Sequence, residues 1–191
     1  MAAGAAPRIP STNVRVVGEL AITAIGADRP GIVAGLTEAL LALEGNLEDC
    51  RAALLRGSFA MVMVVAVPDR IDSTACQAAL SPVADRLGLR LWVGPAEPPA
   101  PHAAGELLVI SVYGADHPGI VHGVAAALAE RGANIVDLSS RTVGDPPLYV
   151  LGIEAELPPE ASPAEVERAL RAVAARNRVE LHIEIESETT L

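Results

Sequence analysis

Short apolar stretches separated by Gly, Pro and charged residues run the length of the chain, and their periods predict a repeating set of elements. Residues 19–25 read as a short apolar strand. Over residues 30–43, Ile32, Leu36, Leu40 and Leu43 fall on one face of a helix. Pro30 sits in its first turn, where a missing N–H costs little, and Gly45 follows as the expected C-cap. Residues 47–55 and 59–67 predict a hairpin turning around Arg56-Gly57-Ser58. A second helix is expected over residues 73–87, with Pro82 as a point of interruption, and a last strand over residues 89–93. The order is βαββαβ, the split βαβ or ferredoxin-like arrangement, with both helices on one face of an antiparallel sheet.

The same plan then repeats. Gly26-Ala27-Asp28-Arg29-Pro30-Gly31-Ile32-Val33-Ala34-Gly35 recurs 88 residues later as Gly114-Ala115-Asp116-His117-Pro118-Gly119-Ile120-Val121-His122-Gly123, with eight of the ten positions identical. At the same offset Asn46 matches Asn134 and Asp49 matches Asp137. An ungapped match of this kind marks a duplication. The second copy has strands at residues 107–113 and 180–185, a helix at 118–131, a hairpin turning at Gly144-Asp145-Pro146-Pro147, and a helix opened by Ser162-Pro163 as N-cap and N1. The expected fold is α+β, with modules at residues 15–94 and 105–188. A Pro-rich linker at 95–104 joins them, and residues 1–14 form a disordered tail.

The outward face of each sheet is normally wet and alternates with the inner one. Residues 179–186 do alternate, whereas residues 59–67 are apolar throughout. Something is expected to cover the second face of that strand, so homo-oligomers are expected.

Composition narrows the function. The net charge is −10, all 14 basic residues are Arg, and aromatics are only 2% of the chain. That excludes Schiff-base lysine chemistry and a P-loop lysine, and disfavours direct nucleic-acid binding, which rests on phosphate neutralisation and stacking. No apolar run reaches the roughly 20 residues a membrane helix needs. Cys50 and Cys76 make no CxxC pair and read as ordinary buried thiols of a cytoplasmic protein. His117 and His122 are five apart, not the four of a helical metal pair, so no metal or cofactor is expected.

The repeated loop carries the chemistry. It sits between a strand and a helix N-terminus, whose first N–H groups are unpaired and whose dipole end is positive. Gly31 and Gly119 remove the side chain that would block a close ligand, and Pro30 and Pro118 fix the loop. A carboxylate fits the amides, and Asp28 or Asp116 then suits an ammonium group. Asn46 and Asn134 offer both donor and acceptor to the same ligand if the strands they open lie beside the loop. Each residue also has a plain structural reading, Asp as an N-cap and Asn as a turn residue. The recurrence of the whole set in both copies is what raises the ligand reading beside it.

Gly-Ala-Asp-Arg-Pro-Gly-Ile-Val, an apolar helix, then Gly-Asn-Leu and a paired strand resembles the signature of ACT domains, the amino-acid-sensing modules of metabolic regulators. Two such modules in tandem are most similar to the glycine cleavage system transcriptional repressor family. The resemblance implies a non-catalytic regulator that responds to glycine or a similar small amino acid and restrains a DNA-binding activator. It also implies a ligand held between modules by Asp28, Arg29, Pro30, Gly31, Ile32 and Val33 with Asn46, and by Asp116, His117, Pro118, Gly119, Ile120 and Val121 with Asn134. The same signature stands beside the catalytic domain of formyltetrahydrofolate deformylase, a domain this sequence lacks. The competing expectation is a ligand-independent interaction module whose Pro-Gly loops are structural.

Overall fold

The computed structural model describes residues 16–97 and 105–186. The expected tail at 1–14 and most of the expected linker lie outside those residues. The chain divides into two compact units, and each has its own core.

The first unit runs β1 (Val16–Ala27), α1 (Ile32–Ala42), β2 (Asn46–Leu55), β3 (Ser58–Pro68), α2 (Ser73–Leu87) and β4 (Leu89–Pro95). The second repeats the order with β5 (Leu107–Gly114), α3 (Ile120–Ala129), β6 (Asn134–Val143), β7 (Leu148–Glu156), α4 (Pro163–Asn177) and β8 (Glu180–Glu186). The sheets are wholly antiparallel, ordered β2-β3-β1-β4 and β6-β7-β5-β8. This is the ferredoxin-like topology twice over.

Alternation decides which face each strand buries. Leu20, Ile22 and Ala24 on β1 and Phe59, Met61, Met63, Val65 and Val67 on β3 lie under the helices, meeting Ile32, Leu36 and Leu40 of α1 and Cys76, Leu80 and Ala84 of α2. In the second unit Leu108, Ile110 and Val112 on β5 meet Val124 and Leu128 of α3 and Leu170 and Val173 of α4. Each fully buried Leu or Ile contributes about 1.5–3 kcal/mol of transfer free energy, so the two faces account for most of the cohesion. Gly35 and Gly123 let α1 approach α2 and α3 approach α4. A Cβ there would stand 3.1 Å from Val83 Cγ1 and 2.9 Å from Val173 Cγ1, respectively.

Several local expectations need correcting. The left-handed residue ending α1 is Glu44, with φ 57°, and not Gly45. Gly45 instead permits a close approach, since a Cβ would lie 3.2 Å from both the Leu40 carbonyl oxygen and Val65 Cγ1. Pro82 does not interrupt α2, which runs unbroken from the Asp72 cap, whose carboxylate accepts from the Ala75 N–H at 2.7 Å. Ser162 occupies the N-cap of α4 but makes no side-chain capping bond. Cys76 is buried, and that burial raises its thiol pKa, but Cys50 is exposed on the outer strand β2.

The outward faces of the two sheets differ sharply. On the first, Ile25 of β1, Val62 of β3 and Trp92 of β4 all face outward and remain 48%, 51% and 57% exposed, with Thr23 level with both Val62 and Trp92 between them. Ala60 and Val64 beside them are half-buried, so the second face of β3 is apolar and its middle stands open. On the second, the corresponding positions are Tyr113 and His182, in edge-to-face contact at 5.9 Å, flanked by Glu180 and Glu184. They line a shallow cavity of about 700 Å³ with Ser111 and Arg178.

Candidate functional site

Each repeated loop leaves one of the two central strands of its sheet and enters a helix through a glycine. Gly31 and Gly119 are the N-caps of α1 and α3, with φ 92° and 106°. That left-handed conformation is one glycine adopts freely and a side chain resists, at a cost on the order of 1–3 kcal/mol. Their carbonyls accept the first helical bonds, from Gly35 and Gly123 at 2.9 Å each. Neither helix has a side-chain cap or an acidic residue in its first turn. Asp28 and Asp116 therefore do not serve as N-caps. The leading amides of both helices, at their positive dipole ends, have no side-chain acceptor of that kind.

Around this shared frame the residues separate by role. Ile32 and Ile120 are each 2% exposed and belong to the cores. Val33 and Val121, one residue on, face outward at 46% and 36% exposure. The Asp28 N–H is held by the Gly57 carbonyl at 2.9 Å, which ties the first loop to the β2–β3 turn. Arg29 reaches the end of α2, where one Nη lies 3.7 Å from the place a Cβ on Gly88 would occupy. In the second module, Asp116, His117, Pro118, Gly119, Ile120 and Val121 line a cavity of about 410 Å³ together with His122 and Tyr149.

Tyr149 is the lining residue the repeat did not reveal. It pairs with Gly114 in the sheet, as Phe59 pairs with Gly26, so the first module has the ring without the hydroxyl. The turn joining β6 to β7 is two residues longer than that joining β2 to β3, which shifts the offset between copies from 88 to 90 beyond it. Matching at a fixed spacing passes over the pair.

Within each module the asparagine does not lie beside the loop. Strand β3 separates β2 from β1, and Asn46 stands level with Ala66 and so with Glu19, near the start of β1. The loop leaves the other end of β1, eight residues on, or about 27 Å at the rise of an extended strand. Asn134 is likewise level with Glu156 and Leu107, at the far end of β5 from its loop. The condition set for a joint site, adjacent strands, is not met within either module. Asn46 Nδ2 donates instead to Glu48 Oε1 at 2.6 Å.

Among the described residues no group of three or more His, Cys, Asp or Glu is placed to hold a metal ion, and no helix is long and apolar enough to cross a membrane.

Comparison with known proteins agrees with the repeat. The ACT domain profile matches residues 19–93 and again 106–184. The chain is 30% identical over 161 residues to the glycine cleavage system transcriptional repressor of Escherichia coli, covering 81% of this chain and 83% of that one. A UPF0237 protein of Lactococcus lactis is 42% identical over 72 residues, 38% of this chain and 82% of its own. A solved structure of an unknown protein from Galdieria sulphuraria superposes with a TM-score of 0.78 at 30% identity, covering 89% of this chain and 99% of that one.

Proposed function

Because the chain belongs to the ACT-domain family, with two modules in tandem, we propose that it is a non-catalytic regulator that senses a small amino acid of the glycine type. The observation that carries this reading is the twice-built loop. In each copy a left-handed glycine opens a helix whose first amides have no side-chain cap, and an aspartate that caps nothing stands three residues before it. Amides that attract a carboxylate beside a carboxylate that attracts an ammonium group suit a zwitterion whose two charges lie a few ångströms apart. A cavity of about 410 Å³ accommodates a ligand of that class with room to spare.

The signal passes to a protein partner. The E. coli relative is named for repressing transcription, and a chain with charge −10 and no lysine is poorly suited to contact DNA itself. The natural partner is a DNA-binding regulator whose activity the ligand-bound protein restrains.

A thermal-shift screen of the protein against the common amino acids tests the reading. A ligand at 100 times its Kd stabilises by about 2.7 kcal/mol, which raises the Tm of a unit of this size by about 10–20 °C. We expect that shift with glycine or serine and little with bulky side chains. No shift with any amino acid would overturn it.

A second reading is favoured by the open apolar face of the first sheet, that the protein works by association whether or not a ligand binds. Val62→Ser with Trp92→Ser removes most of the apolar surface there without touching the core. On the second reading the double variant loses self-association or partner capture in sedimentation experiments while its amino-acid response is unchanged. Unaltered sedimentation would rule that face out.

A further inference from the structure

The loop of the second module is fastened by a titratable residue where the first module has a permanent cation. His117 Nε2 is 2.8 Å from the carbonyl oxygen of Asn177, the last residue of α4, and Nδ1 is 3.0 Å from the carbonyl oxygen of Pro118. A carbonyl only accepts, so each ring nitrogen must carry a hydrogen to make its bond. A neutral imidazole has one N–H and an imidazolium has two. Only the charged ring makes both bonds at once.

The surroundings favour that charge. The two backbone hydrogen bonds, to Pro118 and then to Asn177, raise the His117 pKa above its ordinary 6.5; partial loss of hydration pulls the other way, and the Asp116 carboxylate adds to the rise. The carbonyl end of α4 contributes in the same sense through the helix dipole. Other charged or titratable groups at this end of the elements meeting here are His122 on α3, Tyr149 on β7, Arg176 in the last turn of α4, Arg178 just beyond it, and Glu180 opening β8. By sign the two arginines oppose the charge, while Glu180 and Asp116 support it. In the first module Arg29 holds the equivalent place at the end of α2, and a guanidinium keeps its charge at any working pH.

We infer that His117 is a positioning residue that makes the second module's loop proton-sensitive, while the first module's loop is not. When charged, the ring fastens the Pro118–Gly119 peptide to the end of α4. When neutral, it releases one of the two carbonyls, and the loop that forms the wall of the 410 Å³ cavity loosens. Because the folded pKa is raised, the stabilisation is fully present below 6.5 and is lost as pH rises through the higher folded value. The consequence for ligand affinity rests on the proposed sensing role; the fastening itself does not.

The test therefore begins without ligand. In an NMR titration of the full chain, the His117 ring should titrate above 6.5. Replacing His117 by Ala should lower Tm at least about twofold more near pH 5.5 than near pH 8.5. His117→Arg, which keeps the cation at both values, should remove that pH dependence and restore the loss. A His117 midpoint at or below 6.5, or an Ala penalty that is the same at both pH values, overturns the inference. Glycine is then added to wild type and His117→Arg. Weaker binding at alkaline pH in wild type alone supports the extension to affinity, and equal pH dependence in both overturns it. If the ring titrates as expected and no amino acid binds at any pH, the sensing role fails while the fastening stands.

Discussion

Ile110→Ala is expected to destabilise the second module by about 2–5 kcal/mol, the range for emptying a large aliphatic site in a packed core. Ile110 lies on β5, one of the two strands flanked by neighbours on both sides, and has no exposed surface. It is level with Ile153 on β7 and Ile183 on β8, so shortening it opens a gap between three strands and the helices above. The two cores share no residue. Denaturant unfolding followed by hydrogen exchange should therefore show amides of β5, β7 and α4 losing protection while those of β1, β3 and α2 keep theirs. Equal loss in both halves would mean the units unfold as one.

The second large effect concerns the ligand. Asp116→Ala should weaken amino-acid binding by about ten- to a hundredfold, the worth of a hydrogen bond to a charged group. Because Asp116 is exposed and caps no helix, folding should be unchanged. Asn134→Ala is the more informative partner. The two residues stand at opposite ends of β5, so no single module brings both to one ligand. If the ligand bridges the loop of one chain and the asparagine of another, Asn134→Ala should weaken binding as much as Asp116→Ala does, and binding should strengthen with protein concentration. If the loop suffices alone, Asn134→Ala should leave affinity intact. Titration calorimetry on both single variants separates the cases. Unchanged binding in Asp116→Ala would sink the loop as the site.

Most of the architecture was legible because it rests on period and repetition. The helix face of Ile32, Leu36 and Leu40 and the alternation of Leu181 and Ile183 report burial directly, and the duplicated loop fixes the register of both copies. What escaped the sequence depends on groups far apart in the chain. Gly45 looks like a helix cap from its neighbours alone, and only the position of Val65 reveals why a side chain is excluded there. Pro82 looks like a break in α2 until packing along the rest of the helix outweighs it. The asparagines looked close to the loops because sequence order places them one helix away. Topology inserts β3 and β7 and sends them to the other end of the sheet. His117 was visible as a departure from Arg29, but one of its two carbonyl partners, Asn177, lies at the end of α4, 60 residues on.

The uneven sharing of the few aromatic residues between the copies gives the protein a built-in optical label. Its one tryptophan, Trp92, lies on the outer face of the first sheet, and both tyrosines, Tyr113 and Tyr149, lie in the second unit. Indole emission thus comes from the first unit, and its wavelength follows the polarity around a ring now more than half in water. A shift to the blue on mixing with a partner, or on raising the protein concentration, marks the covering of that face without any attached dye. The same signal, staying put while tyrosine absorbance changes, tells an event in one half of the chain from an event in the other.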